Sequence, residues 1–187
     1  MTHELKSPLT SISAAAELLE AGVDDPEDRA QLLASIRTSS TRMQSLLDSL
    51  RALAAARVPY ARGPTLLSDV VSALPSTLTL TVRENAPLPL DATGLTAVLE
   101  QLTQNAASHG ATELQLSSKD AVLTVADNGK GVAEGDCARI FDPFFTTRRS
   151  GGGTGMGLAI TRAMLEANGA EITLLPSTSG AKFEIRF

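Results

Sequence analysis

Asp127-Asn128-Gly129-Lys130-Gly131, followed at a distance by Gly153-Thr154-Gly155-Met156-Gly157-Leu158, decides how this chain is read. Asp127 closes the apolar run Ala121-Val122-Leu123-Thr124-Val125-Ala126, so its carboxylate leaves the end of a strand from a half-buried position. Gly129 and Gly131 allow the backbone of the following turn to come close to a ligand, where a Cβ would collide. Gly155 and Gly157 open a second segment, Leu158 to Asn168, which reads as a helix ending at Gly169. The N-terminus of such a helix favours anionic phosphates. No Walker A lysine loop occurs in the chain. The two segments therefore suit a nucleotide site of another kind, in which a carboxylate reads adenine and glycine-rich backbone reaches the phosphates. A D-x-G-x-G alone is also an ordinary strand-exit turn, so the flanking sequence has to decide.

Upstream, a helical pattern starts near Asp91 and places Leu95, Val98, Leu99 and Leu102 on one face. Asn105 sits near its C-terminal end, where a neutral amide oxygen can complete the shell of a Mg²⁺ that keeps waters and phosphate oxygens. Downstream, Ile140-Phe141-Asp142-Pro143-Phe144-Phe145-Thr146-Thr147-Arg148-Arg149 gathers three phenylalanines around a proline, which reads as the packed anchor of a mobile lid. The chain opens with His3-Glu4-Leu5-Lys6-Ser7-Pro8-Leu9.

In this order the segments resemble the H, N, G1, F and G2 boxes of sensor histidine kinases of two-component systems, and they span nearly the whole chain. The resemblance implies an α+β protein: a two-helix hairpin that forms a dimeric four-helix bundle, then an α/β sandwich ATP-binding domain of the type shared with gyrase and the heat-shock chaperone. It implies autophosphorylation of His3, with Glu4 accepting the ring proton, and transfer of the phosphoryl group to an Asp of a response regulator. Ser7 lies one helical turn after His3, where the family more often has a Thr or Asn positioning the water that dephosphorylates the regulator; serine keeps a hydroxyl there. ATP and Mg²⁺ are the implied cofactors, Asn105 being the metal ligand. Nucleotide contacts are implied for Asn105, Ser108, His109, Asp127, Gly129, Gly131, Phe141, Arg148, Arg149, Thr154, Gly155, Met156, Gly157 and Leu158. Ser108 stands where the family commonly carries Lys or Arg, and Arg148 or Arg149 is the substitute expected for that phosphate contact. Pro8 costs the helix a hydrogen bond and is expected to kink it beside His3.

Two other classes stay in view. The ATPases of the same fold hydrolyse ATP with a Glu one turn before the metal Asn; here that position is Gln101, which takes no proton from water, and Glu100 lies ~100° around the helix. A relay module without kinase activity would have lost Asn105, Asp127 or the glycines, and all are present.

Composition agrees. The 187 residues carry a formal charge of −5 without a basic run, so nucleic-acid binding has no electrostatic footing. Hydrophobic residues make up 43% of the chain but aromatics only 3%, so the core must be aliphatic. The single Cys137 excludes an intramolecular disulfide and fits a reducing, cytoplasmic setting. No apolar stretch reaches the ~20 residues of a membrane span, so no membrane contact is expected of this part. Because the H box begins at the third residue, the chain reads as a fragment whose sensor and any membrane anchor lie upstream. Its expected organisation is a helical hairpin over 1–58, a linker over 59–64 (Pro59-Tyr60-Ala61-Arg62-Gly63-Pro64) and the ATP-binding domain over 65–187, with Gly22 to Asp28 as the hairpin turn. Helices are expected at 68–74, 92–109 and 155–168, and strands at 77–82, 112–118, 121–127, 170–175 and 181–187.

Leu9, Ile12, Ala16 and Leu19 in the first helix and Ile36, Met43, Leu47, Leu50 and Ala54 in the second form stripes that two helices cannot bury alone. Each large side chain left wet costs ~1.5–3 kcal/mol. A homodimer that weakens on dilution is therefore expected, with Leu47→Asp or Ile36→Asp driving it to monomer; sedimentation showing a monomer at every concentration would contradict this.

Overall fold

A computed structural model describes residues 2–148 and 152–187, with side chains described from residue 4 onward. The chain divides into two compact units, one of Met1–Ala52 with Thr146–Thr154, the other of Leu53–Phe145 with Gly155–Phe187.

The first unit is a helical hairpin of α1 (Thr2–Glu20) and the longer α2 (Pro26–Ala55). Ala15 and Leu46 are buried, as is Pro8 inside α1. The rest of the apolar stripe is only partly covered: Leu9 and Leu18 are 53% and 55% exposed and Leu47 44%. The turn is shorter than expected, because α2 begins at Pro26 and not after Asp28. Asp25 explains the difference: its Oδ1 accepts the Glu27 N–H at 2.7 Å, and Pro26 occupies the first helical position, where a missing N–H costs nothing.

The second unit is a five-stranded mixed sheet in the order β1-β2-β3-β5-β4, with helices on one face, as expected. Its strands are β1 (Thr79–Asn85), β2 (Glu113–Lys119), β3 (Val122–Asp127), β4 (Glu171–Leu175) and β5 (Lys182–Arg186), and its helices α3 (Leu67–Val71), α4 (Ala92–Ser108) and α5 (Gly157–Ala167). Only β1 and β2 run parallel. Register carries one apolar row across the sheet: Val82 beside Leu116, Leu116 beside Val125, Val125 beside Phe183, and Phe183 beside Leu174. Alternation puts these side chains on the face covered by the helices. There they meet Leu95, Val98, Leu99 and Leu102 of α4 and Leu165 of α5 in one aliphatic core. Asp91 caps α4 by accepting the Gly94 N–H at 2.8 Å.

Among the boundaries that differ from expectation, three have a local reason. The α3 helix stops at Val71, well short of 74, and Pro75 follows; the residue before a proline is driven out of the helical region. The β1 strand continues to Asn85 past an irregularity after Val82, and the Asn85 Oδ1 accepts the Ser68 N–H at 3.2 Å. Gly155 stays outside α5 because its φ of +67° is left-handed.

The expected linker is irregular but fastened. Tyr60 donates its N–H to Asn168 Oδ1 at 3.0 Å, Ala61 accepts the Asp91 N–H at 3.1 Å, and Thr65 bridges Leu88. The Tyr60 side chain lies so close to α4 that a Cβ on Gly94 would come within 2.8 Å of its Cγ. Ala is normally favoured over Gly in a helix, so Gly94→Ala tests this contact by sign. A loss of ~1–3 kcal/mol is expected from overpacking, while Gly135→Ala, which meets nothing within 4 Å, should be near neutral in thermal denaturation.

Candidate nucleotide site and phosphoacceptor segment

Asp127 is the last residue of β3 and shares the parity of Leu123 and Val125, so its side chain sits on the helix-covered face at the sheet's end. One carboxylate oxygen is spent on local order: Oδ1 accepts the Gly129 N–H at 2.8 Å and the Ala181 N–H at 3.1 Å. Oδ2 accepts none among the described residues and is the oxygen left for a ligand. The backbone closes the same corner, since the Asp127 N–H reaches the Ala181 carbonyl at 2.9 Å. Gly180 is required here. A Cβ on it would lie 1.8 Å from the Asp127 carbonyl oxygen, and its φ of +66° is left-handed.

The turn after Asp127 rests on the end of α4. Lys130 donates its N–H to the His109 carbonyl at 3.3 Å, and a Cβ on Gly129 would stand 3.1 Å from that carbonyl oxygen. A Cβ on Gly131, whose φ is +70°, would stand 3.0 Å from the Gly180 carbonyl oxygen. His109 caps α4 and is half-buried. Ser108 turns its hydroxyl back to the Asn105 carbonyl at 3.0 Å, which occupies its donor within the helix end. The Asn105 amide makes no hydrogen bond among the described residues.

Gly157 opens α5, and the Gln101 Oε1 lies 3.6 Å from where its Cβ would be, so the first turn of α5 borders the α4 face one turn before Asn105. Leu158 is half-buried in that turn. Met156, the residue before that turn, is buried, with 1% of its surface exposed. Gly155 holds the phenylalanine segment: a Cβ there would fall 2.5 Å from the Phe144 carbonyl carbon, and Phe144 itself has φ +68°. Ile140 is in the core, and Phe141 meets Phe183 edge-on at 6.3 Å and lies under the Arg162 guanidinium at 5.9 Å. Phe141 thus anchors the segment through packing.

In the first unit, Glu4 pairs with Arg42 of α2 at 3.7 Å, and Ser7 is exposed. Arg148 is half-buried and donates its N–H to Thr146 Oγ1 at 3.0 Å. Thr154, expected at the nucleotide, accepts a hydrogen bond from Ser49 Oγ at 3.4 Å. The His3 side chain and all of Arg149 lie outside the described residues.

Residues 1–57 match the family model of the His Kinase A (phospho-acceptor) domain, and residues 90–187 match that of the histidine kinase-, DNA gyrase B-, and HSP90-like ATPase. The chain belongs to the sensor histidine kinase family. Its relatives include the probable sensor histidine kinase TcrY of Mycobacterium tuberculosis, 33% identical over 99% of this chain and 44% of the relative. The sensor protein CreC of Escherichia coli is 29% identical over 93% of this chain and 41% of its own length. The chain thus spans less than half of either protein. Among solved structures, the Acinetobacter baumannii histidine kinase AdeS shares the fold with a TM-score of 0.63 at 23% identity, over 98% of this chain and 95% of that one. The histidine kinase ThkA, solved in complex with the response regulator protein TrrA, gives a TM-score of 0.64 at 21% identity, over 98% of this chain and 58% of that one. That likeness extends the family's helical region and mixed-sheet ATP-binding fold to this chain.

Sequence reasoning passed over Asn128, Gly180, Ala181 and Arg42. Gly180 carried a signal, a lone glycine before a strand, but its partner lies 53 residues upstream at Asp127 and no local pattern links them. Asp127→Asn separates the two oxygens functionally, because the amide oxygen can keep the Gly129 and Ala181 bonds while an NH₂ replaces the free acceptor. ATP binding is expected to weaken by ~1.5–3 kcal/mol, the range for a hydrogen bond to a charged group. GTP, which presents a carbonyl at that edge, should lose far less; equal losses in calorimetric titration would make Asp127 purely structural.

Proposed function

We propose that this chain is the catalytic part of a histidine kinase that binds ATP, phosphorylates its own His3 and passes the phosphoryl group to an Asp in a response regulator's receiver domain. One observation carries the reading: a phosphoacceptor-domain match over residues 1–57 stands in the same chain as an ATPase-family match over 90–187. The response regulator partner is supported by the ThkA–TrrA complex. Hydrolysis of ATP as the main activity is disfavoured because Gln101 stands where the ATPases need a carboxylate.

In this mechanism the Asp127 Oδ2 accepts the adenine amine, and the N–H groups opening α5 take the phosphates, favoured by the helix dipole. Among the described residues no three His, Cys, Asp or Glu side chains cluster to cage a metal. The unpartnered Asn105 amide fits an ion that keeps waters and phosphate oxygens for its remaining ligands, so Asn105 would hold Mg²⁺. Bound there, Mg²⁺ supplies charge neutralisation of the phosphates. Arg148 or Arg149 supplies the positive charge that Ser108 does not. A ring nitrogen of His3 attacks the γ-phosphorus, the bond to the β–γ bridging oxygen breaks, and ADP leaves; Glu4 takes the proton from the other ring nitrogen. Ser7 positions the water that dephosphorylates the regulator. The leucines exposed on α1 and α2 pair with those of a second copy, and the work takes place in the cytoplasm, where ATP is supplied.

The test uses γ-labelled ATP and Mg²⁺. Label that is acid-labile and base-stable, as a phosphoramidate is, and that disappears in His3→Gln while ATP affinity stays unchanged, is the expected result. Full labelling of His3→Gln would remove His3 from the mechanism.

A further inference from the structure

The ladder between β2 and β3 ends at the pair Leu114–Asp127, yet the next two N–H groups of the β2 side, those of Thr112 and Glu113, are not abandoned. Both are accepted by one side-chain oxygen, Asn128 Oδ1, at 2.8 and 3.0 Å. The Asn128 Nδ2 donates to Thr112 Oγ1 at 2.9 Å, so both the oxygen and the nitrogen of the amide are engaged. Thr112 in turn accepts the Thr79 N–H with its carbonyl at 2.9 Å, which ties this corner to β1. Asn128 is exposed and adds nothing to the core. What its three bonds do is replace the strand carbonyl that would have continued the ladder, leaving the backbone free to turn out of the sheet immediately after Asp127. The turn is then held from three sides: by Asn128 on β2, by Lys130 on the His109 carbonyl, and by Gly129 and Ala181 on Asp127 Oδ1.

We propose that Asn128 is a positioning residue for nucleotide recognition: its amide satisfies the N–H groups of Thr112 and Glu113, just beyond the last β2–β3 pair, and thereby fixes the direction of the free Asp127 oxygen toward the adenine edge. This rests on the nucleotide reading of the site. Because Asp127 discriminates adenine from guanine, an Asn128 that positions it governs the preference for ATP over GTP. An Asn128 that only stabilises the fold moves melting temperature and not preference.

The test titrates the full chain with Mg-ATP and with Mg-GTP. Wild type must bind ATP in preference to GTP; failure at that step overturns the nucleotide reading itself, independently of Asn128. In Asn128→Ala, ATP binding should fall about tenfold with little change for GTP. Asn128→Asp keeps an acceptor for both N–H groups, and the Thr112 hydroxyl can turn to donate to it, so the preference should return to within about threefold of wild type. Asn128→Ser, whose shorter hydroxyl reaches fewer of the partners, should be intermediate and decides the matter if the alanine variant does not fold. A wild-type preference in Asn128→Ala or Asn128→Ser, or an Asn128→Asp as poor as alanine, would overturn the proposal.

Discussion

The Asp127 Oδ1 atom, shared between the N–H groups of Gly129 and Ala181, joins three parts of the chain that meet nowhere else in this form: the exit of β3, the turn that follows it, and the start of β5. A carboxylate accepting two backbone N–H groups makes charge-assisted bonds, stronger than those between neutral groups. Because β3 is the middle strand of the sheet, this corner also sets where the sheet ends relative to α4. The glycines follow from it. A Cβ has no room beside the Asp127 carbonyl at Gly180, and at Gly129 and Gly131 it would stand tightly, 3.1 and 3.0 Å, against backbone or carboxylate oxygens. These glycines are the consequence of packing one turn between a helix end and a strand start.

The second constraint is the crowding between Gly155 and Phe144. Two neighbouring left-handed residues, one of them a phenylalanine, are unusual, and the strain persists only where surrounding structure holds it. Ile140, Phe141 and Phe145 provide that hold by packing against the core, with Arg139 4.7 Å above the Phe145 ring. The beginning of α5 is thereby fixed to the aliphatic core, while residues 146–154 fall outside that unit.

The connector shows the same economy at the opposite ends of the two helices. Asn168, past the end of α5, receives the Tyr60 N–H and donates to the Met164 carbonyl at 2.7 Å, while the Tyr60 side chain lies on Gly94 in the first turn of α4. The two helices whose other ends border the candidate site therefore also grip residues 60–62, so a segment that reads as a linker is part of the folded unit.

Sequence alone determined a great deal here, because the relevant signals are local. The 3.6-residue period of Leu95, Val98, Leu99 and Leu102 defined α4, and the strands expected at 112–118, 121–127 and 181–187 lie within a residue of β2, β3 and β5 at each end. Asp127 and its glycines were legible because strand-exit chemistry is written in adjacent residues. Helix starts were less so: Asp25-Pro26 reads equally as turn or as cap and first helical residue, and only the Glu27 N–H at 2.7 Å decides for the cap. What tertiary structure alone decided are the partnerships across long separations. Gly180 and Ala181 complete the Asp127 corner, Asn128 ends a ladder 15 and 16 residues from its partners, and Arg42 pairs with Glu4 across the hairpin. A side-chain hydrogen bond depends on where two backbones cross, and that crossing is set by burial of the whole apolar row, which no single stretch of sequence contains.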